Sequence, residues 1–324
     1  MSRRTIQLLS LLAVGLFTGL AGAQSYPAKP VRIIVPFAAG GLTDVLTRGT
    51  AQELTKLWGQ QVIVENRPGA NTIIGAELTA KSPPDGYTLL MANDPTVSSN
   101  QYLYSKLPYD PVRDLAPVVN LVAVYSMLVA GSSFPANTLQ EFIAVAKQKP
   151  GDLTYGTSGL GSKLHIDTEA MSTVAGIKMT HVPYKGVAEI LPAIIAGHIS
   201  VAVTGIQPSL THLRSGRLKA FAVASPRRSP ALPDLPTFAE AGLPGFESRS
   251  WFGVVAPAAT PRPVIERIAN GVRQVFSSKE FLGKYVTGVG MEPLVLMPDE
   301  FAEFLKADRA RYAIQIKNMN VRLD

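Results

Sequence analysis

No cysteine occurs among the 324 residues. That absence excludes disulfides, thiolate nucleophiles and cysteine-held metals, so stability must come from apolar cores, which a chain of this length can build. Histidine is scarce: His165, His181, His198 and His212 are the only four, without the spacing or paired carboxylates of a metal site. Neither a metal nor another cofactor is expected. Aromatic residues make up 7% and charged residues 17%, and no basic stripe interleaves with aromatics. A net charge of +7 spread this thinly argues against nucleic acid and mildly favours a small anion. GxGxxG and GxxxxGK[ST] loops are both missing, which removes the usual signatures of dinucleotide and nucleoside triphosphate binding. Beyond residue 23 no segment is long and apolar enough for a membrane span, and no internal repeat is visible.

What is present begins at the N-terminus. Arg3 and Arg4 precede the apolar run Leu8–Leu20, which ends at Ala21-Gly22-Ala23. A basic start, a short apolar stretch and small residues at the cleavage positions describe an export signal over residues 1–23, cut after Ala23. The cleavage point lacks the cysteine that a lipid anchor requires. The processed chain is thus expected in the periplasm.

Downstream, short β-branched runs alternate with helix-like stretches, the pattern of an α/β chain. Strands are expected at Val31–Pro36, Val62–Glu65, Tyr87–Ala92, Leu153–Tyr155, His181–Tyr184, Ile199–Val203 and Leu218–Ala224. Helices are expected from about Thr43 to Leu57, over Gly75–Lys81, Leu139–Gln148 and Ile190–Ala196, near Pro208–Ser215, and over Pro263–Phe276 and Asp299–Asn318. Val118–Val129 is long and apolar but broken by Asn120 and Tyr125, as suits a strand that crosses between domains. Trp251–Val255 reads as the return strand. The expected organisation is one discontinuous domain, 24–122 with 252–324, and a second domain, 123–251.

Two glycine loops carry the chemistry. In Val31–Asp44 (VRIIVPFAAGGLTD) a strand runs through Phe37 and Ala39 to Gly40, Gly41 and a helix start that Thr43 or Asp44 can cap. Strand, glycine turn and helix N-terminus together make an anion cradle. Asp44 either caps the helix or faces the cleft toward a cationic or hydroxyl group; a plain tight turn with a capping Asp is the ordinary alternative. In Gly156–Ser162, the hydroxyls of Thr157, Ser158 and Ser162 stand beside Gly159 and a second helix start, which carries His165. Such donors suit a carboxylate. A nucleophile elbow at Ser158 would need a glycine where Leu160 stands, and His165 lies too far along its own helix to serve as base. Lys185-Gly186 and Thr204, each at a strand end, could add a positive charge, a hydroxyl and backbone N–H groups.

The segments YPAKPVRIIVPFAAGGLTD, VIVENRPGANTIIGAELTAKSPPDGYTLLM, LTYGTSGLGSKLH, HVPYKG and SPRRSPALPDLPTFAEAGLPGFE…WFGVVAPAATP, all in order, resemble the Bug family. Its members are extracytoplasmic solute-binding proteins of the tripartite tricarboxylate transporter type. The resemblance implies a periplasmic binding protein of the second type, with two α/β domains joined by crossover strands around a ligand cleft. It further implies capture of a di- or tricarboxylate, acidic amino acid, nicotinate or aromatic acid, with one carboxylate held by backbone amides and ordered waters. Carried onto this chain, the binding loops are Phe37–Asp44, the turn Asn93-Asp94-Pro95-Thr96, Gly156–Ser162 with His165, and Lys185-Gly186 with Thr204. Asn66–Gly69 supports the cleft entrance. The implied partners are a small carboxylate and membrane transporter subunits, and the receptor is expected to be a monomer without catalytic residues. Presentation of the ligand to a membrane sensor, or hydrolysis at Ser158, are the alternatives.

The chain departs from the family pattern at Ala39, which replaces a proline, and at Thr72 and Ile73, which replace a glycine and an asparagine. Val203-Thr204 replaces an aromatic–Asp pair. Loss of that acid is expected to weaken preference for an amino group and to admit a plain acid or a second carboxylate.

Overall fold

The computed structural model describes residues 26–319 and 321–323; the export signal read over residues 1–23 lies outside them. In chain order the elements are β1 (Val31–Val35), α1 (Leu42–Trp58), β2 (Val62–Asn66), α2 (Ile73–Ala80), β3 (Thr88–Ala92) and β4 (Leu115–Gly131). There follow α3 (Leu139–Gln148), β5 (Thr154–Thr157), α4 (Lys163–Ala175), β6 (Thr180–Pro183), α5 (Val187–Ile195), β7 (Val201–Gly205) and α6 (Ile206–Arg214). The last are β8 (Leu218–Val223), β9 (Arg249–Pro257), α7 (Arg262–Val275), α8 (Lys279–Tyr285), β10 (Glu292–Leu296) and α9 (Pro298–Met319). Two helical turns, Pro95–Ser99 and Asn100–Leu103, follow β3.

Two α/β domains share β4. In the first, strand order is β2-β1-β3-β9-β4, with β1 parallel to β2 and β3. In the second it is β4-β7-β5-β6, with β5 parallel to both neighbours and β8 also paired to β4. Both sheets are covered on both faces, which is why their strands read as continuous apolar runs. On one side of the first, Ile33, Leu89 and Val254 pack on Leu46 and Leu54 of α1 and on Ile268 and Val272 of α7. On the other, Ile34, Leu90 and Val255 meet Phe301 and Leu305 of α9. The second domain buries Leu128, Tyr155 and Val203 against Phe142 and Met171, and Val129 and Ala202 against Ile190 and Ile194.

The apolar stretch around Val118–Val129 is a single long strand that crosses from one sheet to the other, and β9 returns beside it. Asn120 sits inside β4 because its amide donates to the Leu294 carbonyl of β10 at 2.8 Å. Three details differ from the sequence reading. β7 is displaced toward Gly205, so Thr204 lies within the strand; β5 likewise runs on through Thr157; and α8 and β10 were not expected.

Candidate functional site

Register places the two sets of loops face to face. Ala92, at the end of β3, is level with Gly253 of β9, and Gly253 with Asn120 of β4. Gly205, at the end of β7, is level with Ser126 of the same β4. Since β7 runs antiparallel to β4 while β1 and β3 run with it, the carboxyl ends of β1 and β3 point at those of β5, β6 and β7. Between them lies the Leu121–Tyr125 stretch, roughly 20 Å along the strand. The candidate binding residues lie at or just beyond these strand ends, where open α/β sheets bind ligands.

Helix starts converge there with unusual caps. Gly41 caps α1, Gly186 caps α5 and Gly205 caps α6, all without a side-chain hydrogen bond. Their first-turn N–H groups are left for an outside acceptor. By contrast α3, away from these loops, has a complete capping box at Thr138 and Glu141. At the fourth start, Ser162 accepts from the His165 N–H at 3.3 Å.

Asp44 is buried and fully engaged. It accepts from the Gly40 N–H and from Arg48 Nε, both at 2.9 Å, and from the Asn66 amide at 2.9 Å. The Asn66 amide also donates to the Phe37 carbonyl at 3.1 Å. Burial raises the Asp44 carboxyl, but the hydrogen bonds from Arg48, Gly40 and Asn66 outweigh it and hold the group below the ordinary carboxylate value. Asp44 therefore braces the first loop. It does not cap α1, a role that falls to Gly41 and not to Thr43 either. Phe37 packs edge-on against Phe252, whereas Ala39, Gly40 and Gly41 are exposed.

Asn93 and Asp94 part company. Asn93 accepts from Thr96 Oγ1 at 2.8 Å within the turn after β3. Asp94 is fully buried and bonded to Ser250 and to the Tyr312 hydroxyl, the latter at 3.0 Å. It ties the turn after β3 to β9 and α9.

In the second loop, Thr157 Oγ1 lies 2.6 Å from His181 Nε2 and donates to the Gly159 carbonyl. His165 Nδ1 accepts from the Gly161 N–H at 3.1 Å, and its ring stacks on His181 with centroids 4.1 Å apart. Burial, and to a lesser degree His181, push His165 down to about 4, so it is neutral near pH 7. Ser158 is half-buried and hydrogen-bonds to neither histidine, so it is not paired with a base. Thr204 Oγ1 is buried without a partner, while Lys185 is exposed and forms no ion pair among the described residues. Among the described residues no group of His, Asp and Glu could hold a metal.

Sequence reasoning missed the polar residues beneath the loops: Ser126, Lys163, Asp167, Ser248, Ser250, Asp308, Arg311 and Tyr312. The i,i+4 spacing of Lys163 and Asp167 and the i,i+3 spacing of Asp308 and Arg311 were the local signals; the rest are brought together by β4, β9 and α9.

Residues 46–321 match the model of the tripartite tricarboxylate transporter family receptor. The chain is 33% identical over 320 residues to the protein BugT of Bordetella pertussis (strain Tohama I), covering 97% of this chain and 98% of that one. It resembles an R. palustris protein solved with adipate at 34% identity and a TM-score of 0.82, over 92% of this chain and 99% of that one. The malate-bound MatC of Rhodopseudomonas palustris is similar at 30% identity and a TM-score of 0.75, over 90% and 100%.

Proposed function

Because the chain belongs to the tripartite tricarboxylate transporter receptor family, we propose that the Phe37–Asp44 and Gly156–Ser162 loops are the jaws of a clamp. It captures a small carboxylate in the periplasm for uptake through membrane transporter subunits. The observation that carries this reading is the convergence of three glycine-capped helix starts, at Gly41, Gly186 and Gly205, on the space between the domains. Each offers unpaired N–H groups and the positive end of a helix dipole to an anion. Ser158, Ser162 and Thr204 add hydroxyls, and Lys185 adds a cation. The dicarboxylates bound by two similar proteins, adipate and malate, support a ligand with a carboxylate at each end.

The division at residues 122/123 and 251/252 makes the middle of β4 and β9 the hinge. An open form exposes both jaws; a ligand that bridges them draws the population toward a closed form. Closure excludes water and strengthens each charge-assisted bond. The closed surface of the monomer is then what the transporter subunits receive.

A thermal-shift screen of the processed protein, refolded to strip carried-over ligand, tests this reading. Mono-, di- and tricarboxylates, aromatic acids and acidic amino acids are compared, with adipate and malate included. A true ligand raises the melting temperature with concentration. If no small acid does so, the carboxylate reading fails.

A further inference from the structure

Beneath the jaws, β9 carries two serines, one just before and one within the strand, that gather a buried charge network. Ser248 donates to Asp167, which is also bonded by Lys163 of the same helix α4. Lys163 Nζ further reaches Ser248 Oγ at 3.2 Å, and Ser248 reaches Ser126 of β4 at 3.2 Å. Ser250 donates to Asp94, at the end of β3. The Tyr312 hydroxyl donates to the same carboxylate, and Arg311 Nη2 stands 3.9 Å from it while bonding Asp308 at 2.6 Å. Asp308 in turn accepts from Trp251 Nε1 at 3.1 Å.

This network joins the first jaw to the second. Asp94 follows Asn93 in the loop after β3; Lys163 follows Ser162 in the loop after β5; both are tied to the return strand within three residues of each other. Helix α9 completes the junction, packing Phe301 and Leu305 on the first domain and Tyr312 and Ile316 on Ile166 of the second.

Its charges do not balance. Asp94, Asp167 and Asp308 are all buried, and among the described residues only Lys163 and Arg311 form ion pairs with them; half-buried Arg309 lies near Asp308 without pairing to it. A surplus buried carboxylate is costly unless it takes a proton. The groups facing Asp94 come from three elements: Ser250 on β9, Asp308, Arg311 and Tyr312 on α9, and Lys163 with its partner Asp167 on α4. Burial and the nearby Asp308 push Asp94 up to about 6, against the opposing pull of Lys163, Ser250 and Arg311. Arg311 also lines a cavity of about 570 Å³, with Glu169, Phe246, Glu247 and Gln315, so the network lies one side chain from a route for protons.

The geometry points to a proton-dependent hinge lock. Asp94, Lys163 and Asp167 act as positioning residues for the two jaws, and one proton within the network sets how firmly they are held. Protonated, the ion-paired groups balance and the jaws are fixed; ionised, those groups carry one surplus negative charge and the network loosens. The raised Asp94 contributes stability that is complete below its ordinary value near 3.8 and is lost as pH rises through about 6. The proposal takes its functional meaning from the clamp, but its test does not require a ligand.

The natural absence of cysteine permits that test. Lys56→Cys on α1 and Lys147→Cys on α3, both at exposed positions, take spin labels in the refolded, ligand-free protein. Distances between them are measured by pulsed electron paramagnetic resonance at pH 5 and pH 7.5. The expected result is a narrow distribution at pH 5 and a broadened or shifted one at pH 7.5, whereas Asp94→Asn keeps the narrow distribution at both. Identical distributions at both pH values in the otherwise native protein, or a pH response retained by Asp94→Asn, overturn the lock. Should Asp94→Asn not fold, Ser250→Ala, which cuts the carboxylate from β9, is expected to broaden the distribution already at pH 5; an unchanged narrow distribution there also overturns it. A failed carboxylate screen would not alter these outcomes.

Discussion

Gly40 has a φ of +83° and open space where a side chain would stand, so replacing it is a conformational problem and not a steric one. Gly40→Val should cost roughly 1–2 kcal/mol in this left-handed geometry and remake the exposed loop. The expected outcome is loss of the carboxylate-induced thermal shift while the circular dichroism spectrum remains native. Ser158 is a milder case, one donor among several in the proposed clamp. Ser158→Ala should weaken binding by about 0.5–1.5 kcal/mol, read by calorimetry; a larger loss would mean that Ser158 holds the ligand almost alone. His165 supplies a pH test in the absence of ligand. Its folded-state value, near 4, lies below the ordinary 6.5, so between these limits the unfolded chain binds more protons. Stability from this group is complete above pH 6.5 and is lost as pH falls toward 4. Because Asp94 gains stability over an overlapping range as pH falls, the test is the difference from His165→Asn: the native unfolding midpoint should drop relative to that of the variant as pH falls through the window. Two acids, Asp44 in the first turn of α1 and Asp94 after β3, show the limit of reading residues singly. The chain shows both near the candidate loops but not that Asn66 donates to Asp44, or that Ser250 and Tyr312 donate to Asp94, since those donors lie far along it.

Among elements, the turn after β2 is the most constrained. Ala70, Asn71 and Thr72 all have positive φ, at 45°, 49° and 76°, a conformation that costs residues with side chains and is least suited to a β-branched one. It is held by a side-chain ladder to the turn after β3. The Asn71 amide donates to Asn100 Oδ1 at 2.7 Å, the Asn100 amide donates back to the Asn71 carbonyl at 2.8 Å, and Thr96 reaches Thr72 at 3.1 Å. Asn100→Ala removes the centre of that ladder and leaves buried polar groups unpaired. A loss of about 1–3 kcal/mol in urea denaturation is expected, together with a smaller carboxylate shift, since the turn backs the first jaw. The departure at Thr72 was visible in the chain, but the left-handed backbone it occupies was not. Most strands and helices were legible because both sheets are covered and their strands are plainly apolar. β10 was not: Glu292–Leu296 is partly exposed along its length, and what makes it a strand is pairing to β4 and the Asn120 amide.

For the whole molecule, closure should be measurable as compaction. Small-angle scattering of the refolded protein is expected to show a smaller radius of gyration on saturation with a ligand from the thermal-shift screen. The same ligand at a hundredfold excess over its Kd should add about 2.7 kcal/mol of stability. No change in radius despite a clear thermal shift would indicate binding without domain closure. The two-domain α/β architecture and the crossing strand follow from local pattern: β-branched runs, helix periods and glycine turns are written over a few residues each, and one chain suffices to read them. The candidate loops were legible for the same reason, since glycines at strand ends and hydroxyls at helix starts are local features. What only tertiary structure decided is which groups face one another. The register of β7 against β4 turns the two loop sets together, and β9 with α9 collects three carboxylates and two cations from separate parts of the chain. Contacts of that range depend on how strands pair and helices pack, and the spacing of residues along the chain does not contain them.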